Sequence, residues 1–210
     1  MASMLAADAR LAVLAVPQHG VFTRAQATAA GFSPAQIERR VRAAAWVRVL
    51  PRVYRHASTP GSSLVSHWAA VLWAGPECAL SHTSAAAIWR IRDAPVAAPE
   101  LVVPRGRAPR APGVVVHRVT RIDADDIVRV RGLPITSPVQ TIIDLAGSVG
   151  EADLEAALEC ARARGLVTVR AVRVRFDEIG TVGRPGAARL RALLAAVGSG
   201  RVDASARMAG

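Results

Sequence analysis

Thr23 with Gln26, and ten residues on Ser33 with Gln36, repeat one local pattern: a hydroxyl residue followed three positions later by glutamine. Each pair reads as a capping box, in which side chain and backbone satisfy one another's orphan groups at a helix start. Pro34 fits the first helical position after Ser33, where a missing N–H costs nothing. Phe32 and Ile37 are placed to form a hydrophobic staple that sets how the chain enters this second helix. Gly31 lies between the helices, free to adopt the left-handed conformation that ends the first. Two short helices joined by a tight turn are therefore the expectation for residues 23 to 44.

At 100° per residue, Ile37, Val41 and Ala44 share one face of the second helix, and Gln36, Arg39, Arg42 and Ala43 share the other. The first face belongs to a core. The second carries two guanidinium groups one turn apart, suited to phosphates or to the O6/N7 edge of guanine. Arg40 flanks both faces and suits the DNA backbone. Gln36 is ambiguous, because a side chain held in a capping box cannot also read a base. Trp46 to Leu50, then Pro51-Arg52, then Val53-Tyr54-Arg55 alternate like a two-stranded hairpin with arginine on its exposed side. Upstream, Leu11, Val13, Leu14 and Val16 supply another helix, stopped by Pro17 and Gly20. This order predicts a winged helix-turn-helix over residues 1–57 and makes double-stranded DNA the expected partner. Gln36, Arg39 and Arg42 are the groove candidates, and Arg24, Arg40, Arg48, Arg52 and Arg55 the phosphate candidates. Against this stands the plain reading of an arginine-bearing helix face as a solvated surface, and of the winged helix as a protein-contact module.

All 27 basic residues are arginine, a skew that a GC-rich genome produces, so arginine content by itself says little. The net charge of +11 says more: it draws the chain to polyanions with an affinity that falls steeply with salt. Eight of the arginines, against only Asp8 and Glu38, lie within residues 1–56, so the excess is concentrated where the helix pair lies. Cys78 and Cys160 lack metal-ligand spacing and read as buried thiols. The N-terminal apolar segment is broken by Asp8 and Arg10, unlike a signal peptide. No run approaches the length of a membrane span. A cytoplasmic location is expected.

Ser58 to Ser63 is small, polar and turn-rich, the expected hinge (58–63) before a second domain over 64–198. Leu64–Ala74 reads as a helix ended by Gly75-Pro76, and Ala85–Arg90 as another. Strand-like runs follow at Leu101–Val103, Val114–His117 and Ile127–Val130. Leu133 to Ser137 reads as the lead into a helix reaching Ala146, capped by Ser137 with Pro138 first. Helices are expected at Glu151–Arg164, Val169–Ile179 and Pro185–Val197, then a frayed tail over 199–210. The fold class expected is α+β: a winged helix-turn-helix followed by a mixed domain of helices around a small sheet.

Three blocks resemble one bacterial family: Gly20 to Gln26 through Arg52 to Arg55, then Ala79-Leu80-Ser81-His82-Thr83-Ser84 to Trp89, then Gly132-Leu133-Pro134-Ile135-Thr136-Ser137-Pro138 to Ala146. The chain resembles the AbiEi-type antitoxin-like proteins of type IV toxin–antitoxin systems over roughly residues 8–197. The resemblance implies a winged-helix domain that represses its own promoter. It also implies a second domain that counters a nucleotidyltransferase-like toxin without necessarily binding it. Many chains with this N-terminal arrangement continue into a small endonuclease-like domain, for which the residues after Val197 leave no room. The alternatives are a protein-interaction module with a vestigial winged helix, or a remnant of a longer endonuclease-like protein.

Other chemistry is less well supported by the residues. His82 beside Ser81 and Ser84 lacks a nucleophile elbow, and Ser81 or Thr83 reads better as a helix cap. Asp123, Asp125 and Asp126 with His117 lack the glycine-kinked loop of a cation site and read as a solvated loop paired with Arg118, Arg121 and Arg129. Arg105, Arg107 and Arg110 lie in an extended Gly/Pro segment, a candidate second anion contact or simply an exposed loop. Trp68 and Trp73 point about 140° apart on a helix and, with Trp89, suit a core. No metal, cofactor or enzymatic activity is expected.

Overall fold

The structure is a computed structural model that describes residues 2–93, 96–106, 110–180 and 183–198. It is mixed in class, with helices and two separate sheets. Arg107 and the expected tail over 199–210 lie outside the described residues.

Helix α1 (Ala2–Ala15) ends in a 3₁₀ turn over Val16–Gln18, with Pro17 inside it. Strand β1 (Val21–Thr23) leads directly into α2 (Arg24–Ala30), and α3 (Pro34–Arg42) follows after one turn. Both capping boxes are formed. Thr23 and Ser33 accept from the amides of Gln26 and Gln36, whose side chains accept in return from the Thr23 and Ser33 amides. Gly31 caps α2 at a φ of 109°, a left-handed value that favours glycine. Strands β2 (Trp46–Leu50) and β3 (Val53–His56) form a hairpin, and β3 also pairs antiparallel with β1, Phe22 opposite Tyr54.

The core of these elements is aromatic. Trp46 meets Phe22 and Phe32 edge-on at centroid distances of 4.7 and 4.9 Å, above Leu11, Ile37 and Tyr54. The expected apolar face of α3 is shorter than the wheel suggests. Ile37 is fully buried and Val41 packs beside it, but Ala44 is exposed, with a φ of 54°. The chain must turn there to enter β2, and a left-handed residue makes that turn.

Helix α4 (Ser63–Ala74) is capped by Ser62 and buries Val65, His67, Trp68, Ala69 and Ala70. The rest of the chain alternates between sheet and helix. Strand β4 (Ala79–Leu80) precedes α5 (His82–Trp89), then come β5 (Glu100–Pro104), β6 (Val115–Val119), β7 (Ile127–Val130) and β8 (Leu133–Thr136). Helices α6 (Pro138–Leu145), α7 (Glu151–Ala163), α8 (Val169–Glu178) and α9 (Ala187–Gly198) complete the order. The second sheet runs β6-β5-β4-β8-β7, with β4 antiparallel to β5 and parallel to β8. Strand β8 corrects the expectation that Leu133 to Thr136 merely leads into a helix. Its Leu133 and Ile135 are buried at alternate positions and Ile135 pairs with Leu80, a partner that local sequence does not reveal.

The contacts divide the chain elsewhere than at the expected 58–63 hinge. One compact unit comprises Met1–Leu80, Ala97–Ile122 and Arg129–Ile135, and the other Ser81–Val96, Asp123–Val128 and Thr136–Gly210. The physical reason is α4, which packs on β1, β2 and β3 and so belongs with the N-terminal elements. In the second unit, Ile142, Ile143 and Leu145 of α6 meet Leu154 and Leu158 of α7, Val172 and Phe176 of α8 and Leu190 of α9. Gly186 has a φ of 75°, and a Cβ there would stand 1.8 Å from the Ala146 carbonyl oxygen, so only glycine allows α9 this approach to α6.

Candidate nucleic-acid interface

Ile37, fully buried, fixes the rotation of α3, and that rotation decides which arginines face outward. Arg39 and Arg42 stand on the exposed side, and the Gln36 side chain is committed to its capping box, with the Ser33 amide donating to Oε1 at 2.7 Å. Arg39, Arg40 and Arg42 all fall in the last turn, where positive charge offsets the partial negative charge of the helix C-terminus.

Arg40 points inward. Its guanidinium lies 2.7 Å from the Asp8 carboxylate of α1 and over the rings of Phe32 and Trp46, 5.3 and 5.6 Å from their centroids. Arg55 is also committed within the chain, donating to the carbonyls of His56, Ala57 and Thr59, where it fastens the exit from the hairpin. These two expected phosphate contacts are therefore structural ties.

Two other basic side chains meet at Glu38. Arg24, at the start of α2, donates to one Glu38 carboxylate oxygen at 3.2 Å, and Arg48 of β2 lies 3.7 Å from the other. Arg48 also covers the Tyr54 ring at 5.8 Å. Arg24 and Arg52 are adjacent through the backbone, because the Arg24 amide donates to the Arg52 carbonyl at 2.8 Å. Arg52 sits at the hairpin turn with a φ of 63° and is exposed. Together Arg24 and Arg52 line two adjoining concavities. One is floored by Ala25, Thr28 and Ala29 of α2, the other by Pro51, Val53, Leu72 and Trp73. The structure thus brings Arg24, Arg48 and Arg52 together beside α3.

Sequence reasoning missed several contributors. Glu38 holds Arg24 and Arg48 in place. Ala25, Thr28 and Ala29 form an exposed small-residue face at i, i+3 and i+4 of α2, a spacing visible in the sequence, which lets a backbone approach closely. Arg10 donates twice to the Ala30 carbonyl, at 2.9 and 2.7 Å, and so closes the end of α2, a long-range cap without local signature.

Of the remaining candidates, Arg105 and Arg110 are exposed between β5 and β6. His117 does not join the aspartates. Its Nε2 is 2.7 Å from the Glu100 carboxylate, and Asp123 and Asp126 instead hold Arg175 of α8. Arg175, about fifty positions along the chain, is thus a partner of that acidic loop that the sequence reading did not include. Ser81 is fully buried and its hydroxyl makes no helix-cap bond, lying 2.9 Å from His82 Nδ1. Trp89 donates to the Thr136 carbonyl at 2.9 Å, so residues of the second and third resembling blocks meet. No helix among the described residues is long and apolar enough to cross a membrane. Compared with known proteins, the chain is matched by no family model and by no curated protein.

Proposed function

We propose that the elements from α1 to β3 are a winged helix-turn-helix that binds double-stranded DNA, with α3 in the major groove and the β2–β3 hairpin on the adjacent backbone. The observation that carries this reading is the sorting of arginines about α3. Arg39 and Arg42 face out, Arg40 is turned inward onto Asp8, and Arg24, Arg48 and Arg52 flank the helix. Arg39 and Arg42 read base edges or adjoining phosphates; Arg24, Arg48 and Arg52 contact phosphates. The small face of α2 gives the sugar-phosphate backbone room to approach.

In this reading the chain is a cytoplasmic, non-enzymatic regulator of the AbiEi antitoxin kind, repressing its own promoter and countering a nucleotidyltransferase-like toxin. Support for the antitoxin part is the order of the sequence blocks and the bond from Trp89 to Thr136 that joins two of them. The test is a salt-dependent titration against the chain's own upstream DNA and a scrambled duplex. Preference for the upstream DNA that survives near-physiological salt supports an autoregulator. Equal, salt-labile binding to both duplexes reduces the attraction to the net charge of +11 and overturns sequence-specific recognition.

A further inference from the structure

Helix α1 is apolar on two opposite sides, and among the described residues only one of them is packed. Ala7, Leu11 and Ala15 are buried against the aromatic core. On the opposite side Leu5, Val13 and Val16, just past the helix end, are 68, 74 and 75% exposed, with exposed Ala6, Ala9 and Ala12 among them. Leu5, Ala9, Ala12 and Val13 fall within an arc of about 100° on the helix. A surface helix normally turns polar residues outward, so a second apolar stripe marks a surface that another body covers.

We infer that this outer face of α1 is a self-association surface, on which a second copy of the chain packs its own α1 antiparallel about a two-fold axis near Ala9. Charge argues for an identical partner. The charged side chains that border the stripe, Asp8 and Arg10, are engaged within their own chain by Arg40 and by the Ala30 carbonyl. The face is therefore uncharged and offers nothing to an acidic or basic partner. Shape argues the same way. With Ala9 at the axis, the large side chains of Leu5 and Val13 stand on either side of a small one, so an antiparallel copy sets Leu5 against Val13. That is the self-complementarity an isologous contact requires. The exposed apolar surface is on the order of 450 Å² per copy, or at most about 900 Å² for the pair, below the roughly 1,200 Å² of a standard specific interface, which fits a weak, reversible pairing. A membrane-surface helix would carry free cations along its border and aromatic residues in its stripe, and this face has neither.

Sedimentation equilibrium of the full chain without DNA tests the proposal apart from the DNA reading. In about 0.5 M salt, which screens repulsion between copies, a monomer–dimer equilibrium in the micromolar range is expected. Val13→Glu should raise its dissociation constant at least about tenfold while the circular-dichroism melt stays unchanged, because Val13 touches little in its own chain. Val13→Ser, with no added charge, should weaken the dimer in the same direction. A chain that stays monomeric to submillimolar concentration overturns the proposal. So does a dimer indifferent to both substitutions, or a monomer whose Val13 face drives binding to anionic vesicles.

Discussion

The Arg40 guanidinium lies 2.7 Å from the Asp8 carboxylate and rests over Phe32 and Trp46, so an arginine in the last turn of α3 fastens that helix to α1. The side chain is about a quarter exposed and combines an ion pair with two ring contacts, a stronger arrangement than a solvent-exposed pair. Arg40→Ala should therefore lower stability by about 1–2 kcal/mol in urea denaturation, and Arg39→Ala, on the exposed side, by less than about 0.5 kcal/mol. Equal losses from the two substitutions would remove the distinction between an inward and an outward arginine.

DNA binding should sort the same residues in the opposite order. Arg39→Ala and Arg42→Ala should each cost about 1–3 kcal/mol in affinity and relax sequence preference. Arg52→Ala should weaken all duplexes alike and reduce the salt slope by about one. Arg55→Ala should leave the salt slope unchanged yet lower the melting temperature, because its guanidinium is spent on the carbonyls of His56, Ala57 and Thr59. Fluorescence anisotropy at several salt concentrations, beside thermal melts, separates these effects. An Arg55→Ala protein with normal stability and a lower salt slope would return Arg55 to the phosphate contacts.

Acid should destabilise the first unit through His67. Burial in α4 lowers its pKa from 6.5 to about 4, and its Nδ1 has no hydrogen-bond partner among the described residues. The unfolded chain therefore binds a proton between pH 6.5 and 4 that the folded chain refuses. Stability from this group is complete above pH 6.5 and is lost progressively as the pH falls toward 4, by up to about 3 kcal/mol. The half-buried His56, also lowered chiefly by burial, acts in the same direction. His67→Leu should flatten the pH dependence of the urea midpoint across that window, and an unchanged slope in the variant would assign the acid sensitivity elsewhere.

What was legible in the sequence follows the range of the interactions. The boxes at Thr23–Gln26 and Ser33–Gln36 span three residues and are written entirely in local residue types, so the starts of α2 and α3 could be placed, although the end of α3 could not. Ser137, with Pro138 after it, announces α6 in a similar way, whereas the caps Ser62 and Thr168 emerge only in the structure. The allocation of the arginines was not legible, because each is decided by a partner brought close only by folding: Asp8 for Arg40, Glu38 for Arg24 and Arg48, the Ala30 carbonyl for Arg10. A helical wheel places Arg40 between two faces and cannot tell which neighbour claims it. Strand β8 was missed for a related reason, since its four residues take their identity from pairing with Leu80. The division of the chain was obscured by the turn-rich Ser58 to Ser63, which looks like a linker although α4 beyond it packs back on β1 and β3.

Arg175 offers a test of the second unit alone. Its guanidinium donates to Asp126 Oδ1 at 3.0 Å and to Glu178 at 3.2 Å, and a further nitrogen reaches both Asp123 and Asp126. The hydrogen bond to Asp126 is the main reason it holds its proton more firmly than an ordinary arginine. These contacts join the 3₁₀ turn Ala124–Asp126 to α8, and the Ser137 amide at the head of α6 donates to the Asp126 carbonyl in the same place. A lysine presents one compact charge and cannot reproduce the fork, so Arg175→Lys should cost about 1–2 kcal/mol. Arg175→Leu should cost more, about 2–4 kcal/mol, because the partly buried Asp123 and Asp126 then lose the guanidinium that bridges them. Adding Asp126→Asn to Arg175→Leu should recover part of that loss, although Asp126→Asn alone destabilises. Urea midpoints of the three variants decide the matter: strictly additive losses would mean that Arg175 and Asp126 contribute independently and that the clamp does not act as a unit.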